Sequence, residues 1–163
     1  MSIIREATID DCETIANLIR ELAVYERLEH AARATPEDLR KYLFGDRPYA
    51  ECLIAEDAGQ GVGFALYFFN FSTFRGRPGI YLEDLFVRSE FRGRGLGKAL
   101  LIRLARHAIE RDCGRFEWAV LDWNKPAIGF YQSLGARPMD DWTVFRVEGD
   151  ALTNLAGMDA TRS

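Results

Sequence analysis

Cysteine and histidine are scarce in this chain, and their scarcity removes two kinds of chemistry at once. The three cysteines, Cys12, Cys52 and Cys113, stand far apart and form no Cys-x-x-Cys arrangement. The two histidines, His30 and His107, have no ligand-like spacing to each other or to a cysteine, so no metal site is expected. A catalytic thiol would need a histidine partner, and His107 falls in a strongly helical stretch. The cysteines therefore read as buried small hydrophobes in a reducing compartment. Long apolar runs are also missing. The longest, Val62 to Phe69, is far short of the ~20 residues that cross a bilayer. Glu6, Asp10, Asp11 and Glu13 crowd the N-terminal segment with acids that a secretory signal or transit peptide would not carry. Nor does one sign of charge dominate. Twenty-one Lys and Arg against 25 Asp and Glu leave a net charge of −4, which argues against whole-surface binding to nucleic acid. The expectation is a soluble, cytoplasmic protein with neither a nucleic-acid nor a membrane partner.

What is present is ordinary globular material. Hydrophobic residues make up 48% and charged residues 28% of 163 residues, which suits one domain with a substantial core. Ser2 to Ala7 reads as a strand. Thr8, with Asp11 three residues on, starts a helix whose apolar face is Ile15, Leu18, Ile19 and Leu22. Val24 to Ala34 reads as a loop or fraying helix end. Thr35-Pro36-Glu37-Asp38 opens a second helix, with Leu39, Tyr42 and Leu43 as its stripe. Strands follow at Glu51 to Glu56 and Gly61 to Phe71 around an Asp57–Gln60 turn, then at Ile80 to Val87. A helix carrying Leu100, Leu101, Leu104, Ala105 and Ala108 follows, with Gly114 expected as its C′ residue. Phe116 to Leu121 is a further strand, Asn124 with Pro126 starts a short helix ending near Gly135, and Trp142 to Val147 is a last strand. The pattern predicts one α/β domain over 1–150 and a tail over 151–163 without a strong pattern.

The sharpest local feature is Arg92-Gly93-Arg94-Gly95-Leu96-Gly97-Lys98, a glycine turn between a strand and a helix. Glycines let the backbone approach a ligand closely, and the free N–H groups and dipole of a helix start favour phosphate. A P-loop would need Gly where Arg92 stands and Ser or Thr where Ala99 stands. A Gly-x-Gly-x-x-Gly dinucleotide fingerprint would need Gly at Lys98 or Leu100. Both fail. The pattern Arg/Gln-x-x-Gly-x-Gly/Ala fits Arg92, Gly95 and Gly97, and it resembles the pyrophosphate-binding turn of the Gcn5-related N-acetyltransferases.

Two further stretches carry the same resemblance. Upstream lies Tyr81-Leu82-Glu83-Asp84-Leu85-Phe86-Val87; downstream lies Trp123-Asn124-Lys125-Pro126-Ala127-Ile128-Gly129-Phe130-Tyr131, closed by Gly135-Ala136. With Glu21 to Glu26 they are similar, from about Arg5 to Val147, to the spermidine/spermine (diamine/thialysine) branch of that superfamily. The resemblance implies a mixed, mostly antiparallel sheet flanked by helices and splayed at the acetyl-CoA site. It implies that the backbone N–H groups of Leu85, Phe86 and Val87 polarise the thioester carbonyl and that Arg92 to Lys98 hold the pyrophosphate. Asn124, Pro126, Ala127, Phe130 and Tyr131 would line the pantetheine and sulfur. Tyr131 would protonate the departing thiolate, and Glu83, directly or through water, would take the proton a primary amine must lose before attack. Because adjacent strand residues alternate, only one of Glu83 and Asp84 is expected to face the acceptor.

A cationic amine calls for carboxylates and aromatic walls. The resemblance places Tyr25, Glu26, Glu83, Glu117, Trp118, Asp140 and Trp142 on the acceptor side. Phe74 replaces a tryptophan of the polyamine enzymes, and Trp118 and Asp122 also depart from that branch. These departures leave diamines, lysine analogues or another small amine as acceptors. The implied reaction is direct acetyl transfer from acetyl-CoA to a small cationic amine, with no metal, in a homodimer. Two other readings stand beside it: a silent acetyl-CoA-binding sensor, which retention of Tyr131 and Glu83 disfavours, and transfer to a protein amine.

Overall fold

The computed structural model describes residues Met1–Asp159, which fall into two compact units, Met1–Leu121 and Asp122–Ser163. The first holds a five-stranded sheet in the order β1-β2-β3-β4-β5: β1 (Ser2–Glu6), β2 (Glu51–Asp57), β3 (Gln60–Ser72), β4 (Arg77–Val87) and β5 (Arg115–Trp118). The first four strands pair antiparallel, and β5 joins β4 in parallel. Mixed pairing of this kind matches the expected sheet.

Helix α1 (Cys12–Tyr25) follows a 3-10 turn over Ile9–Asp11. The Asp11 carboxylate accepts the Thr8 N–H at 2.7 Å and takes both ends of the Arg5 guanidinium at 2.8 Å. Helix α2 (Pro36–Phe44) has the reciprocal cap read from its sequence: Thr35 Oγ1 accepts the Asp38 N–H at 3.2 Å, and Asp38 accepts the Thr35 N–H at 3.0 Å. These two helices cover one sheet face through Ile15, Leu18, Leu22, Leu39, Cys52, Ile54, Phe64 and Phe86. Helix α3 (Leu96–Glu110) covers the other, burying Leu100, Leu101, Leu104 and Ala108. On that side Tyr67 donates its hydroxyl hydrogen to Glu51 at 2.7 Å. Its oxygen lies 3.2 Å from Nδ1 of the buried His107, whose Nε2 accepts from Arg103 at 3.1 Å. With Nε2 accepting, Nδ1 is the ring nitrogen that can donate to the Tyr67 oxygen.

The β2–β3 hairpin turns on Ala58 and Gly59, both at positive φ (48° and 79°), the twist that suits a two-residue connection. Helix α3 does not use Gly114 as its C′ residue. Asp112 takes the left-handed conformation (φ 55°), and the Gly114 N–H donates to the Pro78 carbonyl instead, tying the entry of β5 to β4. Helix α1 likewise continues to Tyr25 and closes on Arg27 at φ 60°, with the Leu28 N–H reaching the Ala23 carbonyl at 2.8 Å.

The second unit contains α4 (Lys125–Ser133) and α5 (Gly149–Ala156). Asn124 caps α4 by accepting the Ala127 N–H at 3.4 Å, and Gly135 follows at φ 90°. Two expectations are corrected here. No strand forms over 142–147; Val144 and Phe145 are each 90% exposed, and this stretch pairs with no strand among the described residues. The stretch after Asp150 is not patternless. It forms most of α5, where Leu152 and Leu155, three apart, share a face. The rest of the expected tail, residues 160–163, lies outside the described residues. No helix among the described residues is long and apolar enough to cross a membrane.

Candidate active site

The first unit gathers its candidate residues where β4 leaves the sheet. Strand β5 pairs only with Gly79–Leu82, so Glu83 to Val87 have β3 on one side and no strand on the other among the described residues. This is the splay, and it leaves the edge of Leu85, Phe86 and Val87 open to a ligand. Phe86 and Val87 bury their side chains, so what they can present is backbone.

A bulge sits at the same point. Leu66 stands opposite Asp84 and Tyr67 opposite Leu82, which makes Glu83 an extra residue on β4. The alternation of the strand resets there. Tyr81 and Asp84, three apart, both fall on the α1 side, together with Phe86 and with Phe68, whose ring lies 5.2 Å from that of Tyr81. Simple alternation would put Glu83 and Asp84 on opposite faces of the sheet. The bulge overrides it, and the Glu83 charge is felt by both neighbours: it helps to raise the Tyr81 hydroxyl and the Asp84 carboxyl.

Asp84 is the functional candidate that sequence reasoning passed over. It is half-buried, and desolvation, with the nearby charges of Glu83 and Glu26, pushes its carboxyl up to about 7. Glu26, at the C-cap of α1, is itself raised by burial. Glu83 and Glu26 thus both act on Asp84, which places three carboxyl groups within reach of one another's charge. The signal available in the sequence was the Glu-Asp pair; its shared orientation depends on pairing with β3.

Arg88 anchors the end of α1 that supplies Tyr25 and Glu26. Its Nε and Nη2 each lie 2.9 Å from a carboxylate oxygen of Glu21. Arg92 then ties the glycine turn to the same wall: its Nε donates to the Val87 carbonyl at 2.8 Å, and its guanidinium lies 4.6 Å from the Tyr25 ring centroid and 5.5 Å from that of Phe86. The Arg92 side chain is thus engaged by protein, not held out for a phosphate.

The turn itself fits an anionic ligand. Gly93 and Gly95 adopt φ of 76° and 80°, and neither they nor Gly97 has any atom within 4 Å of where a Cβ would stand. The first intrahelical bond of α3 runs from Ala99 to Gly95, so the N–H groups of Leu96, Gly97 and Lys98 precede it. The Leu96 side chain is buried, which leaves its backbone as the contribution. Arg94 and Lys98 are exposed; Arg94 is 3.9 Å from Asp57 and stacks over Phe91. Glycine backbone, helix N-terminus and two exposed cations suit a pyrophosphate.

Glu117 and Trp118 separate. Glu117 lies opposite Tyr81 on the acidic face, paired with Arg115 at 2.8 Å, whereas Trp118 lies opposite Leu82 on the α3 side and packs its ring 4.9 Å from Phe116. In the second unit, Tyr131 is half-buried on α4 with its ring 5.7 Å from that of Phe130; Pro126 and Ala127 form the first turn. Asp140 lies in an exposed turn, and Trp142, 74% exposed, donates its backbone N–H to the Met139 carbonyl. No cluster of metal-ligating side chains occurs among the described residues.

A strand splayed beside a glycine turn that opens a helix is the arrangement of an acyl-coenzyme A site, and the chain belongs to the acetyltransferase (GNAT) family, whose profile matches residues 13–136. It is an N-acetyltransferase. The chain is similar to the thialysine N-epsilon-acetyltransferase of Sus scrofa, at 44% identity over 95% of this chain and 97% of the relative. It is also similar to the L-ornithine N5-acetyltransferase of Arabidopsis thaliana, at 33% identity over 91% of this chain and 85% of that one. Among solved structures, an integron cassette protein of V. cholerae superposes with a TM-score of 0.82 at 30% identity, covering 96% of this chain and 98% of its own.

Proposed function

We propose that one catalytic domain over 1–150 transfers the acetyl group of acetyl-CoA directly to the primary amine of a small cationic acceptor, a diamine, polyamine or lysine analogue. The observation that carries this reading is the carboxyl group of three, Glu26, Glu83 and Asp84, beside the open edge of β4. The amino-acid acceptors named for the Sus scrofa and Arabidopsis thaliana relatives support it.

Acetyl-CoA supplies a thioester carbonyl, activated for attack. Leu96, Gly97 and Lys98 hold its pyrophosphate by backbone N–H groups, with Arg94 and Lys98 adding charge. The open-edge backbone of Leu85 to Val87 donates to the carbonyl oxygen as negative charge develops there. Glu26 and Asp84 draw in the ammonium form of the acceptor, with Tyr25 and Tyr81 as walls. Glu83, exposed on the bulge, takes the ammonium proton through water, and the neutral nitrogen attacks. The Tyr131 hydroxyl gives its proton to the departing thiolate sulfur. Asn124 and Pro126 to Tyr131 line the coenzyme arm, and Asp140 and Trp142 serve the acceptor.

We also assign the protein to the cytoplasm and to a homodimer. Two features support the dimer: β5, only four residues long, is the last strand of the sheet among the described residues, and the stretch of Trp142, Val144 and Phe145 is apolar and exposed. Sedimentation equilibrium of the full chain tests it, and a mass of one protomer at micromolar concentration would refute it.

Release of free CoA thiol across a panel of amines tests the reaction. Turnover with small di-cationic or amino-acid acceptors is expected. Tight acetyl-CoA binding without any turnover would favour the sensor. Tyr131→Phe should lower kcat and remove the basic limb of its pH profile; an unchanged profile would remove Tyr131 from its role as acid.

A further inference from the structure

Charge changes sign along the acidic face of β4 and β5. Starting from the β3–β4 hairpin, that face carries Arg77 and then Arg115, which stands opposite Gly79. Next come Tyr81 and Glu117, opposite each other, and then Glu83 and Asp84 at the bulge. Gly79 keeps the middle of this strip open. A Cβ there would lie 2.5 Å from Asn70 Oδ1 and 3.0 Å from Arg115 Cγ, so only glycine lets the arginine stem cross the strand. The stem runs toward the acids, because Arg115 Nε lies 2.8 Å from Glu117 Oε1. That contact is an ion pair without hydrogen-bond alignment, so none of the three guanidinium nitrogens has a hydrogen-bond acceptor among the described residues, and the two terminal ones form an open edge of the fork.

An ammonium group at Glu83 and Asp84 would therefore have, two residues back along the strip, an ion pair and not a further acid. Two residues of strand span about 7 Å. Six bonds separate the terminal nitrogen of a lysine-length chain from its carboxylate carbon, and fully extended they also span about 7 Å. A zwitterionic head, carboxylate toward Arg115 and α-ammonium toward Glu117, matches the pair charge for charge. A diamine of equal length would bring a second ammonium against the guanidinium.

Resting on the acetyltransferase reading above, we propose that the Arg115–Glu117 pair is the specificity determinant of this site. It receives the α-amino-acid head of an acceptor whose side-chain amine is held at Glu83 and Asp84. The preferred acceptors are then α-amino acids bearing an ω-amine, and the corresponding diamines are discriminated against.

The test measures thiol release from acetyl-CoA with lysine, with its decarboxylated diamine cadaverine, and with 6-aminohexanoate, which lacks the α-amine. The wild-type enzyme is expected to show kcat/KM at least tenfold higher for lysine than for cadaverine, with 6-aminohexanoate between them. Arg115→Glu should lower the lysine value at least tenfold, through KM, while leaving or raising that of cadaverine. The wild-type comparison stands even if the variant folds poorly. Equal use of lysine and cadaverine by the wild type, or an equal loss for both in Arg115→Glu with an unchanged Tm, would overturn the inference and leave the acetyltransferase reading intact. Absence of turnover with every amine would overturn that reading and the inference with it.

Discussion

Arg92 donates its Nε–H to the carbonyl of Val87 at 2.8 Å, the last residue of β4, and in that posture its guanidinium stacks on Tyr25. One side chain thereby joins the glycine turn, the end of the splayed strand and the aromatic ring at the end of α1. Arg92→Gln removes the stacking, worth about 0.5–2 kcal/mol, or roughly 2- to 30-fold in affinity. KM for the amine should rise by that factor along with KM for acetyl-CoA. Steady-state kinetics with both substrates varied checks this; a rise for acetyl-CoA alone would mean that Arg92 serves only the turn.

Asp84 makes the enzyme pH-dependent in two ways. Its carboxyl rises from the usual carboxylate range to about 7 on folding, so the folded chain holds that proton more tightly than the unfolded chain. Stability is then unpenalised below about pH 4 and declines as pH rises toward 7, where the half-buried group must ionise. Asp84→Asn removes the decline. Its Tm should exceed that of wild type above pH 7 and converge with it near pH 4. Attraction of the cationic acceptor has the opposite slope, since it needs the ionised form. The kcat/KM of the wild type for the amine should climb through pH 7, and Asp84→Asn should lose at least tenfold at pH 8 along with that limb. Thermal melts and pH–rate profiles measure both effects.

The glycine turn separates strain from ligand approach. Gly95 sits at φ 80° with nothing near its would-be Cβ, so Gly95→Ala incurs only backbone strain, about 1–2 kcal/mol, read as a lower Tm. Gly97 has an ordinary φ and equally open space, and lies inside the first turn of α3. Gly97→Ala should hold or raise Tm by helix propensity, yet raise KM for acetyl-CoA several-fold as its methyl meets the pyrophosphate. An unchanged KM in Gly97→Ala would move the phosphate away from this turn.

Tyr67 is placed to stabilise and not to react. Its hydroxyl bridges Glu51 and the buried His107, and burial together with the Glu51 charge raises its ionisation well above the usual phenol range. Tyr67→Phe leaves His107 Nδ1 buried without that acceptor, which costs about 1–3 kcal/mol. Chemical denaturation should show the loss, while kcat/KM for the amine stays within twofold of wild type.

Much of the fold was legible residue by residue, because local physics sets it. Thr35, Pro36 and Asp38 cap α2 as their types require, Asn124 caps α4, and Ala58-Gly59 makes a two-residue turn. The Arg92–Lys98 spacing fixed the turn before α3. Where the reading strayed, a longer-range partner was deciding. Gly114 lost the role of helix stop to Asp112 because its N–H is taken by Pro78 of the neighbouring strand. Trp142 to Val147 has alternating strand texture, but alternation supplies no pairing partner, and among the described residues it has none.

The sequence by itself determined the class of chemistry. The scarcity of cysteine and histidine argued against thiol and metal routes, and the glycine turn with its two flanking stretches, by resemblance to one acetyltransferase superfamily, implied acetyl transfer from an anionic coenzyme. Only the tertiary structure decided which acids act together. A bulge is a property of two paired strands: the extra residue at Glu83 exists only relative to Leu66 and Tyr67 of β3. It turns Asp84 to the face it shares with Tyr81, into the field of Glu26. The opposition of Arg115 to Gly79 likewise depends on where β5 docks. Residues 31 or more apart acquire a common charge pattern there, and no local propensity encodes that register.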